Sequence, residues 1–210
     1  RKVFSALLKN AFFVPFMKHL FLLTSLLFSA SVYSQKLVFD MSAFGIHFGR
    51  MTVIKTKEDD STDLYTMDAN GYLKVLWMKR RDQTLYQVRF RNGKLFSSEY
   101  KQIESGVLKK WTNVNFDGTE YLVDSYRGKR TFIEAPFFSV LSLYFSNPQN
   151  INRIFYEAES EFTELKHTNA NTVEVTGSDG NFSIYHFLNG AINTAEFHIS
   201  IATVYMKRIN

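Results

Sequence analysis

The residues of this chain that can do proton, metal or nucleophile chemistry are scattered rather than grouped. His47, His167, His186 and His198 have neither a His nor a Cys within four positions. Zinc motifs need such ligands at short spacing, so that one element offers two of them to the same ion. Cysteine is absent, which excludes disulfides, thiolate ligands and a thiol nucleophile. Asp40, Asp68, Asp124, Glu134, Glu157 and Glu161 are of the right type for an acid–base pair, but the sequence places no two of them together. There is no Gly-x-Ser-x-Gly elbow and no phosphate-cradling glycine loop. The expectation is no catalytic residue, no metal and no cofactor.

The candidate site comes instead from an apolar stretch, Pro136 to Pro148. Pro136 suits a first helical position, and Pro148 favours extended backbone at Asn147 and so ends a helix there. Ser139, Ser142 and Ser146 fall at spacings of three and four, which puts them on one helical face. Phe137, Phe138, Val140, Leu141, Leu143, Tyr144 and Phe145 cover the rest. A segment apolar almost all round belongs inside a protein. A short buried helix near 137–146 is the expectation, with a buried strand as the alternative for so short an apolar run. Ser139, Ser142 and Tyr144 on this segment, and His47 between Gly45 and Gly49, are the candidate ligand-binding residues. Tyr121, Tyr126, Phe155, Tyr156, Tyr185 and Phe187 are assigned to the core, with a cavity lining as the alternative.

The start of the chain has a different character. Met17, Lys18 and His19 precede an apolar run from Leu20 to Tyr33, with Val32 and Ser34 small enough for signal-peptidase cleavage before Gln35. We expect 1–16 to be upstream sequence, 17–34 a signal peptide, and 35–210 a single β-rich domain. The alternative, a membrane helix from Ala11 to Val32, would bury Lys18 and His19. The formal charge of +5 is largely a property of this leader. Taking Arg1, Lys2, Lys9 and Lys18 from the 25 basic residues leaves 21 against 20 acidic ones, a balance that does not support nucleic-acid binding. Lys79-Arg80-Arg81, Lys109-Lys110 and Arg127-Lys129-Arg130 read as solvated charge, two of them at turns.

The remainder reads as strands. Leu37, Phe39 and Met41 alternate with Lys36, Val38 and Asp40, the pattern of a half-buried strand. Gly45 and Gly49 mark a bend or bulge. Strands are expected at 50–57, 64–67 and 72–79 around Asn70-Gly71, with Lys79 to Asp82 as a turn. Hairpins follow at Asn92-Gly93, Asp117-Gly118, Asp179-Gly180 and Asn189-Gly190. Asn150 to Glu161 is read as one strand, and the last strand runs unbroken through His198 to Met206. A two-residue turn at 189–190 would set His186 opposite Asn193 and Phe182 opposite Phe197, and would point His186 and His198 to opposite faces. So many close turns imply an antiparallel meander of about ten or more strands. We therefore expect a mainly β protein: one strongly curved antiparallel sheet, or incomplete barrel, holding the short helix inside or across its mouth.

Three stretches carry a resemblance: Phe44-Gly45-Ile46-His47-Phe48-Gly49; Ser139 to Phe145 with Pro148; and Gly177 to Gly190. Together they resemble exported bacterial β proteins grouped as a domain of unknown function, family 6134, in the same order along nearly all of 35–210. The resemblance implies export and a β-rich fold, and implies no reaction or catalytic residue. Where the family has an acid before the helix-ending proline, this chain has Asn147.

The expected function is that of an exported, non-enzymatic, barrel-like protein, periplasmic or extracellular and without a lipid anchor, holding an apolar or lipid-like molecule beside the helix. The alternative is a structural or protein-interaction module of the cell envelope. A hydrolase is the least favoured reading. The expected partners are an apolar small molecule or lipid, or an envelope protein. Nucleic acid and an integral membrane span after cleavage of the leader are not expected.

Overall fold

The computed structural model describes residues 33–75, 78–199 and 202–210. The upstream stretch and nearly all of the expected signal peptide lie outside the described residues. The described chain forms one antiparallel sheet. Its strands are β1 (Ser34–Ala43), β2 (Ile46–Lys57), β3 (Thr62–Val75), β4 (Met78–Arg91), β5 (Lys94–Glu104), β6 (Val107–Phe116), β7 (Tyr121–Ser125), β8 (Gly128–Phe132), β9 (Arg153–Tyr156), β10 (Glu161–Asn169), β11 (Thr172–Thr176), β12 (Phe182–Leu188), β13 (Ala191–Ile199) and β14 (Ala202–Arg208). The spatial order runs from β8 back to β1, then across to β14 and back to β9. The two meanders are therefore joined where β1 pairs with β14 (Met41 opposite Met206).

The sheet is not closed, but its two edge strands are brought together. The Phe132 ring of β8 lies 5.7 Å from that of Phe155 in β9 and 6.4 Å from that of Phe162 in β10. Arg130 of β8 donates to the Glu161 carboxylate and to the carbonyls of Glu159 and Ser160. This is the incomplete barrel expected of a long twisted sheet. Alternation supplies its core: Phe39 and Met41, Met51 and Val53, Val88 and Phe90, Val173 and Val175 all point inward.

The expected helix is far shorter than 137–146. It is a single 3-10 turn, Leu141–Phe145, with Val140 before it already in the helical region. Pro136 does not begin it: the Pro136 carbonyl accepts from the Leu95 amide at 2.8 Å. Phe138 and Val140 exchange hydrogen bonds with Phe155, so 138–140 runs beside β9 as an extra edge segment. Phe138 and Ser139 thus go to strand-like pairing with β9, and the chain turns from Val140 onward. Ser139, Ser142 and Ser146 share no helical face. Ser139 and Ser142 are buried, and Ser146 is exposed.

Several strand boundaries also differ from expectation. Asn70-Gly71 is not a turn but the middle of β3. Gly71 faces Gly49 across β2 and β3. A Cβ on Gly49 would stand 2.3 Å from the Asn70 carbonyl oxygen. These glycines permit a close strand approach rather than a reversal. Lys79 to Asp82 likewise belong to β4. The 150–161 strand is only β9, and β10 was not anticipated because its outer face is too charged to look like a strand. The last strand is two, β13 and β14, with Ile199 paired to Ala202.

The turn at Asn189-Gly190 forms, but a bulge after His186 shifts the rest of the register by one. His186 then faces Thr194, and Phe182 faces His198, whose ring it stacks on at 4.3 Å. His186 and His198 accordingly share a face, and both reach the Glu196 carboxylate. His47 lies not in a loop but in β2, exposed on the outside beside Asp40.

Candidate functional site

Antiparallel connectivity sends alternate hairpins to opposite ends of the sheet. The connections at 44–45, 105–106, 126–127, 157–160 and 177–181 lie at one end. Those at 58–61, 92–93, 117–120, 170–171 and 189–190 lie at the other. The 3-10 turn plugs the second end from inside. Its flanks are fixed there by Asn147 and Gln149, whose amides both donate to the Ala170 carbonyl at 2.9 Å. Leu141 and Leu143 are fully enclosed, and the Tyr144 ring stands edge-on to Phe39 (5.6 Å) and Tyr185 (6.2 Å).

Above the plug lies a cavity of about 290 Å³ that reaches the first end of the sheet, at Asp179, Asn181 and Ile199. Val140, Leu141 and Tyr144 belong to its floor. Two kinds of side chain recur in its wall. Met41, Met51, Met67 and Met206 come from β1, β2, β3 and β14, and Tyr86, Tyr100, Tyr156 and Tyr185 from β4, β5, β9 and β12. Methionine is an adaptable apolar filler, and tyrosine combines an apolar ring with a polar tip. Burial raises the pKa of Tyr86, Tyr100, Tyr144, Tyr156 and Tyr185 above the ordinary phenol value, so all five stay neutral. The Tyr100 hydroxyl donates to Gln102 Oε1 at 3.1 Å.

Beside the floor residue Leu141 is a fully buried acid, Glu157, directly after β9. The Leu141 amide donates to its Oε1 at 3.2 Å. Its Oε2 and the nearby Ser139 hydroxyl each lack a hydrogen-bond partner among the described residues. Burial pushes the Glu157 carboxyl up to about 7. The Ser139 hydroxyl and the amides of Glu157, Leu141 and Val140 pull it back down. We read Ser139 as a nearby dipole rather than a formed hydrogen bond, because the geometry of one is not met.

Of the four candidate binding residues, Tyr144 alone lines the cavity. Ser139 lies beside Glu157 and does not line the cavity. The Ser142 hydroxyl is engaged locally, accepting from the Ser139 amide and donating to its carbonyl. His47 stands outside, away from the cavity. Among the aromatic residues weighed for a lining, Tyr156 and Tyr185 line it, Tyr121, Phe155 and Phe187 are core, and Tyr126 is exposed. Tyr86, Tyr100 and the methionines were not foreseen. Their only signal was inward alternation, as in Tyr86, Val88 and Phe90, which marks core and cavity wall alike.

No group of His, Asp or Glu among the described residues is placed to hold a metal ion. No helix among them is long and apolar enough to cross a membrane. Fold and cavity together define an open, barrel-like β protein with an internal, tyrosine- and methionine-lined space. Residues 39–209 match the family described as Domain of unknown function (DUF6134), and the chain belongs to it. No curated protein and no solved structure matches the chain.

Proposed function

We propose that this is an exported, non-enzymatic binding protein that holds a small, largely apolar molecule with a polar group in the cavity above Leu141 and Tyr144. The observation that carries the reading is the cavity itself, about 290 Å³ between an internal plug and an open end. That is near the lower bound of the usual size range of small-molecule sites, and mouths of β-barrels are frequent places for them. Methionines would adapt to an apolar body, and neutral tyrosine hydroxyls would pair with its polar group. Export rests on the Met17–Ser34 stretch, whose charged start and apolar run have the form of a signal peptide.

The test is titration with Nile red, a neutral apolar dye, alongside native mass spectrometry of the purified protein. A saturable one-to-one fluorescence rise is expected, along with loss of binding in Ala69→Trp, which fills the cavity from β3. Absence of saturable binding, or unchanged binding in Ala69→Trp, would overturn the reading.

A further inference from the structure

The hairpins at the open end carry side chains that turns in water do not normally carry. Four two-residue connections share one backbone form, with both residues at positive φ: Phe44-Gly45 (52° and 73°), Asn92-Gly93 (50° and 73°), Ser105-Gly106 (50° and 83°) and Asn189-Gly190 (54° and 79°). This conformation favours Asn and Gly and is a genuine exception for a bulky side chain. Three of the four have Asn or Ser first. The fourth has Phe44, whose ring packs against no core and is 75% exposed. Local stability does not explain that choice.

Phe44 has company. Ile46 in the same hairpin, Tyr72 in β3, Val107 and Leu108 after the 105–106 turn, Tyr126 at the 126–127 turn and Ile199 at the end of β13 are all large, apolar and exposed. All lie toward the open end, and Ile199 also lines the cavity. Lys109, Lys110, Arg127 and Lys129 are exposed among them, and Arg127 lies 5.4 Å from the centre of the Tyr126 ring. This end also carries acids, most of them engaged: Asp124 with Lys129, Glu161 with Arg130, Glu159 with the Ser178 amide, Glu104 with Gln102, and Asp179 with Asn181. The far end also exposes apolar side chains, among them Tyr33, Ile133, Phe137 and Leu188, but its turns are acidic. Glu58, Asp59, Asp60 and Asp117 crowd its turns, with Asp59 and Asp117 held ionised by hydrogen bonds from Ser61 and from the Glu120 and Thr119 amides.

We propose that the open end docks on an anionic lipid surface, with the Phe44, Val107–Leu108 and Tyr126 tips entering the interface and Lys109, Lys110, Arg127 and Lys129 facing lipid headgroups. Apolar side chains set singly on separate tips suit a fluid interface, which fills the spaces between them, better than a rigid protein face. Basic residues interleaved with them meet the negative charge of such a surface. Docked this way, the acidic far end points to solvent and the cavity opens onto the lipid. The proposal does not depend on what the cavity holds.

The experiment is co-sedimentation of the purified protein with vesicles of phosphatidylcholine containing about 30% phosphatidylglycerol, and with phosphatidylcholine alone. Salt-sensitive binding to the charged vesicles is expected. Phe44→Asn should weaken it several-fold while raising the unfolding midpoint, because Asn suits the turn. Val107→Ser/Leu108→Ser and Lys109→Glu/Lys110→Glu should each lower the affinity about ten-fold without changing the near-UV circular dichroism. Leu188→Ser at the far end should leave it unchanged. No binding of the parent protein, or parent-like binding by all three open-end variants, would overturn the proposal. So would concentration-dependent self-association that these variants abolish in the absence of vesicle binding, since that marks a protein interface. Dye binding without vesicle binding would remove the docking proposal and leave the cavity reading standing, and the converse result would do the opposite.

Discussion

The Leu141 amide donates to Glu157 Oε1 at 3.2 Å, joining the internal plug to the end of β9 through a carboxyl that water does not reach. The two residues are sixteen apart in sequence and lie on either side of the 146–152 return. The bond meets two needs at once. It gives an acceptor to an amide at the start of a 3-10 turn, where no backbone carbonyl can serve. It also gives Glu157 part of the compensation that a buried acid requires.

That compensation is incomplete, and pH dependence follows. The folded-state pKa of Glu157 is about 7, above the ordinary 4.5. Below 4.5 the carboxyl is protonated both folded and unfolded, and its titration costs no stability. From there to about 7 the unfolded chain gives up the proton and the folded protein keeps it, so stability falls as pH rises. Above about 7 the loss is complete, on the order of 3 kcal/mol. Glu157→Gln keeps an acceptor for the Leu141 amide and does not titrate. Urea unfolding at about pH 5 and about pH 8 should show the parent losing more stability than the variant. Parallel losses would mean that Glu157 titrates normally.

Leu143 is fully enclosed in the plug. Leu143→Ala should therefore cost about 2–5 kcal/mol, read from the urea midpoint at an unchanged slope. A loss typical of a surface site would show that the plug is loosely seated.

Gly49→Ala tests the close approach of β2 and β3. By strand preference alone alanine should be tolerated better than glycine. The new Cβ would stand 2.3 Å from the Asn70 carbonyl oxygen and 2.8 Å from Gly71 Cα, both backbone atoms. Destabilisation of about 1–3 kcal/mol is expected, with faster amide exchange around Asn70. A neutral or stabilising effect would contradict the packing described.

Arg130 spans the gap between the edge strands, with Nη2 2.9 Å from the Ser160 carbonyl. Arg130→Met keeps much of the side chain's length and removes its donors. Hydrogen exchange should quicken in β8 and across 157–161, while the β1–β14 pairing keeps its protection. Uniform change along the chain would assign Arg130 a global role instead of a local one.

How much of this was legible beforehand differs from element to element. The Asn92-Gly93, Asp117-Gly118 and Asn189-Gly190 turns could be read directly, because each states its backbone requirement in its own residues. Asn70-Gly71 has the same letters and is no turn, because the requirement there is set by Gly49 on another strand. The bulge after His186 follows from pairing along the whole hairpin, and it alone decided that His186 and His198 share a face. Glu157 was one of six acids of equal standing until burial distinguished it.

By itself the sequence determined what depends on local chemistry: antiparallel strands of period two, tight turns, an apolar segment that must be buried, and no thiol chemistry. Only the tertiary structure decided that this segment enters as a 3-10 turn instead of a helix, that Tyr86, Tyr100, Tyr156 and Tyr185 meet around one space, and that Phe44, Val107, Leu108 and Tyr126 share one end with Lys109, Lys110, Arg127 and Lys129. The physical reason is that alternation records which side of a strand a residue faces. It carries no information on whether that side meets packed atoms or a void, because this depends on how β8 and β9 come together after all the intervening strands have paired.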